Sequence, residues 1–186
     1  MSLARRRVGV VGLLSLGLAL GGCGSADVKS TPVVPQGADP VAWVGSFCGG
    51  LGNVIAGASA IPKSPPSPQD QKDGLLKFAD VTQQAFSDTA RKLTQLGQPA
   101  ITDGKQVQAT VVGFFTTAAA TVGNQRAKLA ALDAKDPDFV QKANNLAAPD
   151  LSTAGTQMQG LTSNKELAPA FGKAPECQRL GAAATH

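Results

Sequence analysis

The amino-acid sequence predicts an all-α fold, a four-helix-bundle-like domain with a short C-terminal helix tied back by a disulfide. Apolar residues recur at steps of three and four residues in four successive segments, as they do in amphipathic helices. No run of β-branched residues alternates with polar ones for long enough to demand a strand. The 186 residues, 42% of them apolar and only 16% charged, suffice for one domain core and lack the composition of a disordered chain.

The first predicted helix begins at Asp39-Pro40, an N-cap residue followed by the residue that is favoured at the first helical position. It ends before Pro62. Its flank carries many glycines, which let a neighbouring helix approach closely although they lower helix propensity. The expected apolar stripe consists of Val41, Val44, Phe47, Cys48, Leu51, Val54 (or Ile55) and Ala58.

The second predicted helix runs from Ser67 or Pro68 to Leu96, and Gly97 and Pro99 end it. The third begins near Asp103 and extends for about 30 residues. The buried face of the second helix is expected to consist of Leu75, Phe78, Ala79, Thr82, Phe86, Ala90 (or Thr89), Leu93 and Leu96. That of the third is expected to consist of Val107, Val111, Phe114, Ala118, Val122, Leu129 and Leu132.

The fourth predicted helix opens with Asp136-Pro137 and reaches Leu161. Pro149 interrupts its pattern and predicts a kink or a break near Ala147-Ala148. A short segment, Asn164 to Phe171, precedes Pro175-Glu176-Cys177. We therefore expect a helical domain over residues 39–180 and a frayed tail over residues 181–186.

Residues 1–22 have the pattern of an export signal. Arg5, Arg6 and Arg7 precede an uncharged apolar run that is too short and too rich in glycine for a comfortable transmembrane helix. The run ends in Leu20-Gly21-Gly22-Cys23, which resembles a bacterial lipobox, in which the signal is cut before a lipid-bearing Cys23. Residues 23–38 would then form a lipidated flexible tether. The alternative is a plain secreted protein in which Cys23 is incidental.

Removal of this signal changes the electrostatics of the chain. The full sequence has 17 basic and 13 acidic residues, and three of the basic ones are the arginines of the signal. The remaining 14 basic residues leave a net charge of +1 and contain no dense cluster. We therefore expect no nucleic-acid partner.

The cysteine count supports a disulfide. If Cys23 carries lipid, only Cys48 and Cys177 remain, and an exported protein resides where disulfides persist. We predict that they are bonded and join the first helix to the end of the domain. Two free thiols are the alternative, but no Cys-x-x-Cys motif supports a redox role.

The inventory of chemically active side chains is small. The only histidine is the terminal His186, and the processed chain has only Glu166 and Glu176 as glutamates, too few for a ferritin-like metal site. Three aspartates, Asp133, Asp136 and Asp138, cluster at a helix junction, where we interpret them as capping groups rather than a cation site. We expect no catalytic residue, no metal and no cofactor.

Two aromatic residues are candidate partner contacts. Trp43 lies off the main stripe of the first helix, where it would either cap the end of the bundle or sit exposed as a binding anchor. Phe114 and Phe115 are adjacent, so one belongs to the core and the other, Phe115, could face a neighbour, a ligand or a partner.

The whole plan resembles the small alanine-rich lipoproteins of actinobacteria, including mycobacteria. The lipobox Leu20-Gly21-Gly22-Cys23, the helix start Trp43…Phe47-Cys48 and the late Pro175-Glu176-Cys177 carry this resemblance. It implies a lipid anchor on the extracytoplasmic face of the cell membrane and an α-helical domain, and it implies no activity.

We therefore expect a non-enzymatic, membrane-anchored helical domain that binds another component of the cell envelope, such as a protein or a lipid. Carriage of an apolar ligand is the alternative, because many Ala and Gly positions fill a helical core poorly and leave a cavity. An enzyme that uses Asp or Lys without His is a third hypothesis.

Overall fold

The computed structural model describes residues 36–59, 67–147 and 152–183, all of which fall in the compact unit Val34–His186. Over these ranges the chain forms seven α-helices and no β-strand. The helices are α1 (Pro40–Ser59), α2 (Pro68–Leu96), α3 (Gly104–Ala130), α4 (Phe139–Ala147), α5 (Ser152–Ser163), α6 (Ala168–Lys173) and α7 (Pro175–Ala183). The predicted all-α fold class is confirmed.

The three long helices form the frame of the domain. Helix α2 packs along α3 in the antiparallel direction, since only residues 97–103 connect them, and α1 packs against α2. Helices α6 and α7 cover α1, whereas α4 lies against α2 and α3. The ring of Phe47 on α1 packs edge to face against that of Phe115 on α3, with 5.7 Å between the two ring centroids.

The ends of the first two helices follow from their capping residues. The side chain of Asp39 accepts a hydrogen bond from the Ala42 N–H (2.9 Å), and the Ser67 hydroxyl accepts one from the Asp70 N–H (3.1 Å). Helix α2 ends at Gly97, whose φ of 78° is a conformation that favours glycine. The predicted bounds of α2 are those observed.

The predicted fourth helix corresponds to two helices of the described chain. Helix α4 is described up to Ala147 and α5 from Ser152, so the predicted kink or break near Ala147-Ala148 falls where residues 148–151, Pro149 among them, lie outside the described part. The predicted start at Asp136-Pro137 is wrong. The Asp136 side chain instead accepts a hydrogen bond from the Asp138 N–H (2.8 Å), which holds a turn, and α4 begins only at Phe139.

The predicted boundaries at the two ends of the domain differ from those observed. Residues 36–38, assigned to the tether, lie beside the loop between α2 and α3, where the Ala38 N–H donates to the Gln98 carbonyl and the Ala100 N–H to the Ala38 carbonyl, both at 2.8 Å. The tail assigned to residues 181–186 is helical up to Ala183 because α7 continues to that residue. Residues 184–186 lie outside the described part of the chain.

The disulfide between Cys48 and Cys177 is present and ties α7 to α1, with 5.0 Å between the two Cα atoms. Helix α1 is also long and apolar enough to cross a membrane by length and composition alone. Its segment Trp43–Cys48 is nevertheless buried, as in the core helix of a globular domain. An apolar helix near the N terminus and a disulfide are both compatible with an extracytoplasmic, membrane-associated protein.

Candidate functional site

The hydrophobic core is interrupted between two clusters of buried side chains. The larger cluster is centred on Trp43, Phe47 and Phe115 and joins α1, α2, α3 and the C-terminal helices. The smaller one contains Leu129, Phe139 and Ala143, at the end of the domain where α4 packs on α2 and α3. The side chains between the two clusters leave a gap, which we call the apolar cleft.

The apolar cleft has a volume of about 160 Å³ and is bounded mainly by α2 and α3, with contributions from α1 and α4. Its lining residues on α2 extend from Leu75 to Phe86, a rise of about 16 Å along the helix axis. The cleft is therefore long and narrow. Its apolar lining consists of Val54, Leu75, Phe78, Ala79, Phe86, Val122, Leu129 and Leu146.

Thr82 brings a polar atom to this lining. Its side chain is 5% exposed, and its hydroxyl oxygen has no hydrogen-bond partner in the described part of the chain. A buried hydroxyl without a partner costs about 1–3 kcal/mol. The unpaired hydroxyl is therefore a destabilising feature of the described domain.

Other helical hydroxyls in the domain behave differently. Thr89 and Thr94 on the same helix donate to the carbonyls of Ala85 (2.6 Å) and Ala90 (2.8 Å), four residues back. This intrahelical bond is the usual way for a Thr hydroxyl inside a helix to be satisfied. Thr82 does not make it, so its orientation differs from that of the other two threonines.

Two further polar residues, Gln125 and Arg126, line the cleft from α3. The Arg126 guanidinium is partly exposed and donates to both carboxylate oxygens of Asp80 on α2. These hydrogen bonds, together with the charge of Asp80, raise the pKa of Arg126. Because Asp80 and Arg126 face each other across the antiparallel pair, Thr82, Gln125 and Arg126 lie at about the same level along the cleft.

A second and larger depression runs along α1, between α2 and α7, with a volume of about 670 Å³. We call it the α1 groove. Small residues, including Gly45, Gly49 and Gly50, form its floor, while Asp88, Lys92 and other charged side chains stand at its rim. It is open and carries no buried unpaired polar atom among the described residues. Its size alone therefore makes it a weaker candidate than the apolar cleft.

The candidate partner contacts require correction. Trp43 and Phe115 are both 0% exposed. The indole N–H of Trp43 donates to the Gly97 carbonyl (3.1 Å), so Trp43 closes the core beneath the end of α2. Phe115 packs against the rings of Phe47 and Phe86, and its neighbour Phe114 is the partly exposed one. Neither Trp43 nor Phe115 presents a surface to a partner.

The remaining predicted site residues fall into two groups. Cys48 and Cys177 form the predicted disulfide. Cys23 and the lipobox residues Leu20, Gly21 and Gly22 lie outside the described residues.

The acidic cluster before α4 has a structural role in the turns. Asp133 accepts a hydrogen bond from the Lys135 N–H (2.9 Å), and Asp136 accepts from the Asp138 N–H and forms an ion pair with Lys142. The lysine hydrogen bond, followed by that backbone bond, lowers the pKa of Asp136. Within residues 36–59, 67–147 and 152–183, no three His, Cys, Asp or Glu side chains are grouped so as to hold a metal ion.

Sequence reasoning placed Thr82 in a buried stripe but did not single it out as a site. The sequence does place Thr82 on one helix face with Phe78, Ala79 and Phe86, which indicates that its hydroxyl has apolar neighbours. That pattern does not reveal whether the hydroxyl bonds to its own helix. The fold and the cleft together define the class as an all-α domain with a small apolar cleft.

No protein-family model matches the sequence. No curated protein and no solved structure matches it either.

Proposed function

We propose that this protein is a non-enzymatic, lipid-anchored domain on the extracytoplasmic face of the cell membrane, and that it binds an apolar molecule in the apolar cleft. The observation that carries the proposal is the gap between the two core clusters, lined by eight apolar side chains. Ligand pockets in proteins are typically concave and mostly apolar, with a few polar groups that fix orientation. The cleft has this composition.

Burial of Trp43 and Phe115 favours a small ligand over a protein partner. Those two aromatic side chains were the candidate contacts for another envelope protein, and both are inside the core. The exposed large apolar residues of the described chain are Ile55, Val81 and Val140. Such scattered residues are ordinary on a protein surface and do not define an interface.

The anchoring part of the proposal rests on the lipobox and on the disulfide. Leu20-Gly21-Gly22-Cys23 follows a basic and then apolar segment, which is the order of a lipoprotein signal. The Cys48–Cys177 bond suits an oxidising compartment outside the cytoplasm. Attachment by lipid would keep the domain close to a source of apolar molecules.

The test is to identify what co-purifies with the protein. Lipoprotein extracted from its own membrane is transferred into lipid nanodiscs, repurified, and then analysed by native mass spectrometry. We expect a bound apolar molecule in a fixed ratio to the protein. A matched variant with Ala79→Phe, which fills the apolar cleft, should lose that molecule while remaining folded. A clean ligand-free mass from repeated preparations would contradict the proposal.

A further inference from the structure

We infer that the α1 groove is a second binding site, which receives a positively charged group of its ligand, a primary ammonium or a guanidinium, at the carboxylate of Glu176. The site is separate from the apolar cleft, so this inference goes beyond the proposed function. The groove has a volume of about 670 Å³, which is within the range of ligand pockets. Among the described residues, its lining carries three carboxylates, those of Asp39, Asp88 and Glu176, and one ammonium group, that of Lys92. The charge of the lining therefore favours a cation.

Glu176 lies at the junction of two depressions on this face of the domain. It lines the α1 groove and also a depression of about 420 Å³ that shares Gly49 and Asn53 with the groove and continues along α1 to Ser59. The side chain of Glu176 is 38% exposed. A ligand in the groove can therefore reach it.

The glycines of α1 make room for this side chain. A Cβ atom added at Gly45 would lie 2.8 Å from Oε2 of Glu176, and one added at Gly49 would lie 3.6 Å from its Cγ. The side chain thus lies along the glycine face of α1, which forms the floor of the groove. Glu176 is in the first turn of α7, and the next residue, Cys177, ties that helix to α1. Two joined helices therefore fix the position of the carboxylate.

The Glu176 carboxylate has little competition from the domain itself. Its charged partner in the described chain is the Arg179 guanidinium, which is 71% exposed and 3.5 Å away, beyond the usual length of a hydrogen bond between nitrogen and oxygen. Asp88, by contrast, is paired with Arg91 at 2.7 Å, and Asp39 accepts a hydrogen bond from the first turn of α1. Glu176 is therefore the carboxylate of the groove that is most available to a cation.

The test uses two pairs of probes that differ in charge. Hexylamine is paired with 1-hexanol, and an acetylated and amidated peptide Ala-Val-Lys-Val-Ala is paired with the same peptide in which norleucine replaces the lysine. The first pair represents a free organic amine and the second a basic segment of a partner protein, so the arms distinguish these two sources of the cation. The protein is the complete processed chain with Cys23→Ala, exported behind a conventional cleavable signal. Binding is followed by the shifts of its amide signals in NMR spectra at neutral pH, where a primary amine is protonated.

We expect the charged member of one pair or both to shift the amide signals of Gly45, Gly49 and Glu176. It should bind about two- to fivefold more tightly than its uncharged counterpart, as expected for an exposed ion pair. Glu176→Gln should remove this preference and leave binding of the uncharged probes unchanged. Arg179→Gln, which removes the internal partner of the carboxylate, should strengthen binding of the charged probe. Glu166→Gln is the matched control and should change no affinity, because Glu166 is the other glutamate of the processed chain and lines neither depression.

Three results would overturn the site. In the first, neither charged probe binds more tightly than its uncharged counterpart; in the second, the shifted amides lie away from the α1 groove; in the third, Glu176→Gln keeps the preference for charge. The amide spectra of the ligand-free variants show whether they are folded, and the pair with the tighter charged probe identifies the source of the cation. Failure of this test leaves the proposed function unaffected, because the α1 groove and the apolar cleft share no lining residue among those described.

Discussion

At the scale of single residues, Gly50 marks the closest approach of α1 to α2. A Cβ atom added at Gly50 would overlap the Thr89 hydroxyl and lie 2.6 Å from its methyl carbon. Thr89 has little freedom to move away, because it is buried and its hydroxyl is bonded to the Ala85 carbonyl. The glycine at position 50 is therefore required by packing, since a larger residue would push the two helices apart.

We predict that Gly50→Ala lowers the free energy of unfolding by about 1–3 kcal/mol through overpacking. Gly52→Ala is the control on the same helix, because a Cβ there meets no atom within 4 Å. That substitution should stabilise the domain by up to about 1 kcal/mol through better helix propensity. Urea unfolding of the two variants measures the difference, and equal effects at both positions would contradict the packing argument.

Glu166 gives a second prediction at this scale. Its carboxylate accepts hydrogen bonds from the Thr102 hydroxyl (2.7 Å) and from the Thr102 N–H (2.8 Å), which joins the turn before α6 to the loop before α3. The hydroxyl bond, followed by the backbone bond, lowers the pKa of Glu166. The ionised form is thus favoured in the folded state relative to the unfolded chain.

The sign of the pH dependence follows from this shift. The contribution of Glu166 to stability is fully present above the unfolded pKa of about 4.3 and is lost as the pH falls through the lower folded value. Glu166→Gln should therefore unfold more easily near neutral pH and lose less stability than the wild type on acidification. Thr102→Val, which removes one of the two donors, should give a smaller change. Melting temperatures measured from pH 7 to pH 3 test this, and parallel curves for wild type and Glu166→Gln would refute it.

At the scale of elements, the disulfide fixes α7 on α1. The two cysteines are 129 residues apart, and closing a loop of this length stabilises a folded chain by about 5 kcal/mol in the entropic model. Helix α7 is short, so its contacts with α1 depend on this covalent link more than those of α2 do.

We predict that the double variant Cys48→Ala/Cys177→Ala has a lower melting temperature and an unchanged all-α circular dichroism spectrum. Amide protection should fall first in α7, because that helix loses its covalent attachment. Reductant should reproduce the effect in the wild type and leave the double variant unaffected. Titration of two free thiols in the native oxidised protein would overturn the assignment.

The elements also show which features of the fold the sequence could predict. Helix α2 was predicted from end to end because its caps, Ser67-Pro68 and Gly97, are explicit in the sequence. The start of α4 was missed because Asp136 bonds to the backbone of a turn instead of beginning the helix. Apolar periodicity also identifies the buried face of a helix only to within one residue. Phe114 was therefore predicted on the buried face of α3, whereas the buried ring is that of Phe115.

The candidate site was less predictable than the fold. The sequence predicted a cavity from the many Ala and Gly positions of the helices, but Ala79 is the one such residue that lines the apolar cleft. The position of the cleft depends instead on how α4 packs at the end of the domain. Whether Thr82 bonds to its own helix depends on the side-chain rotamer. That choice is made by tertiary packing and has no signature in a single sequence.

At the scale of the whole molecule, the chain enters the described domain away from the apolar cleft. The chain enters the domain at residues 36–38, beside the loop between α2 and α3. Val54, which lines the cleft, lies fourteen residues beyond Pro40, or about 21 Å along the axis of α1. Attachment to the membrane and ligand binding should therefore be separable by substitution.

We predict that Cys23→Ala, in the otherwise native precursor, moves the protein out of the membrane fraction, since the acyl chains on Cys23 are the proposed attachment. The released protein should contain the Cys48–Cys177 disulfide and hold the same apolar molecule as the anchored form does. Ala79→Phe, which fills the apolar cleft, should give the opposite result, with full membrane retention and loss of that molecule. Fractionation followed by immunoblotting measures the first property and native mass spectrometry the second. If Cys23→Ala is processed and still sediments with membranes, the anchor lies elsewhere, and helix α1, the apolar helix nearest the described N terminus, becomes the element to examine next.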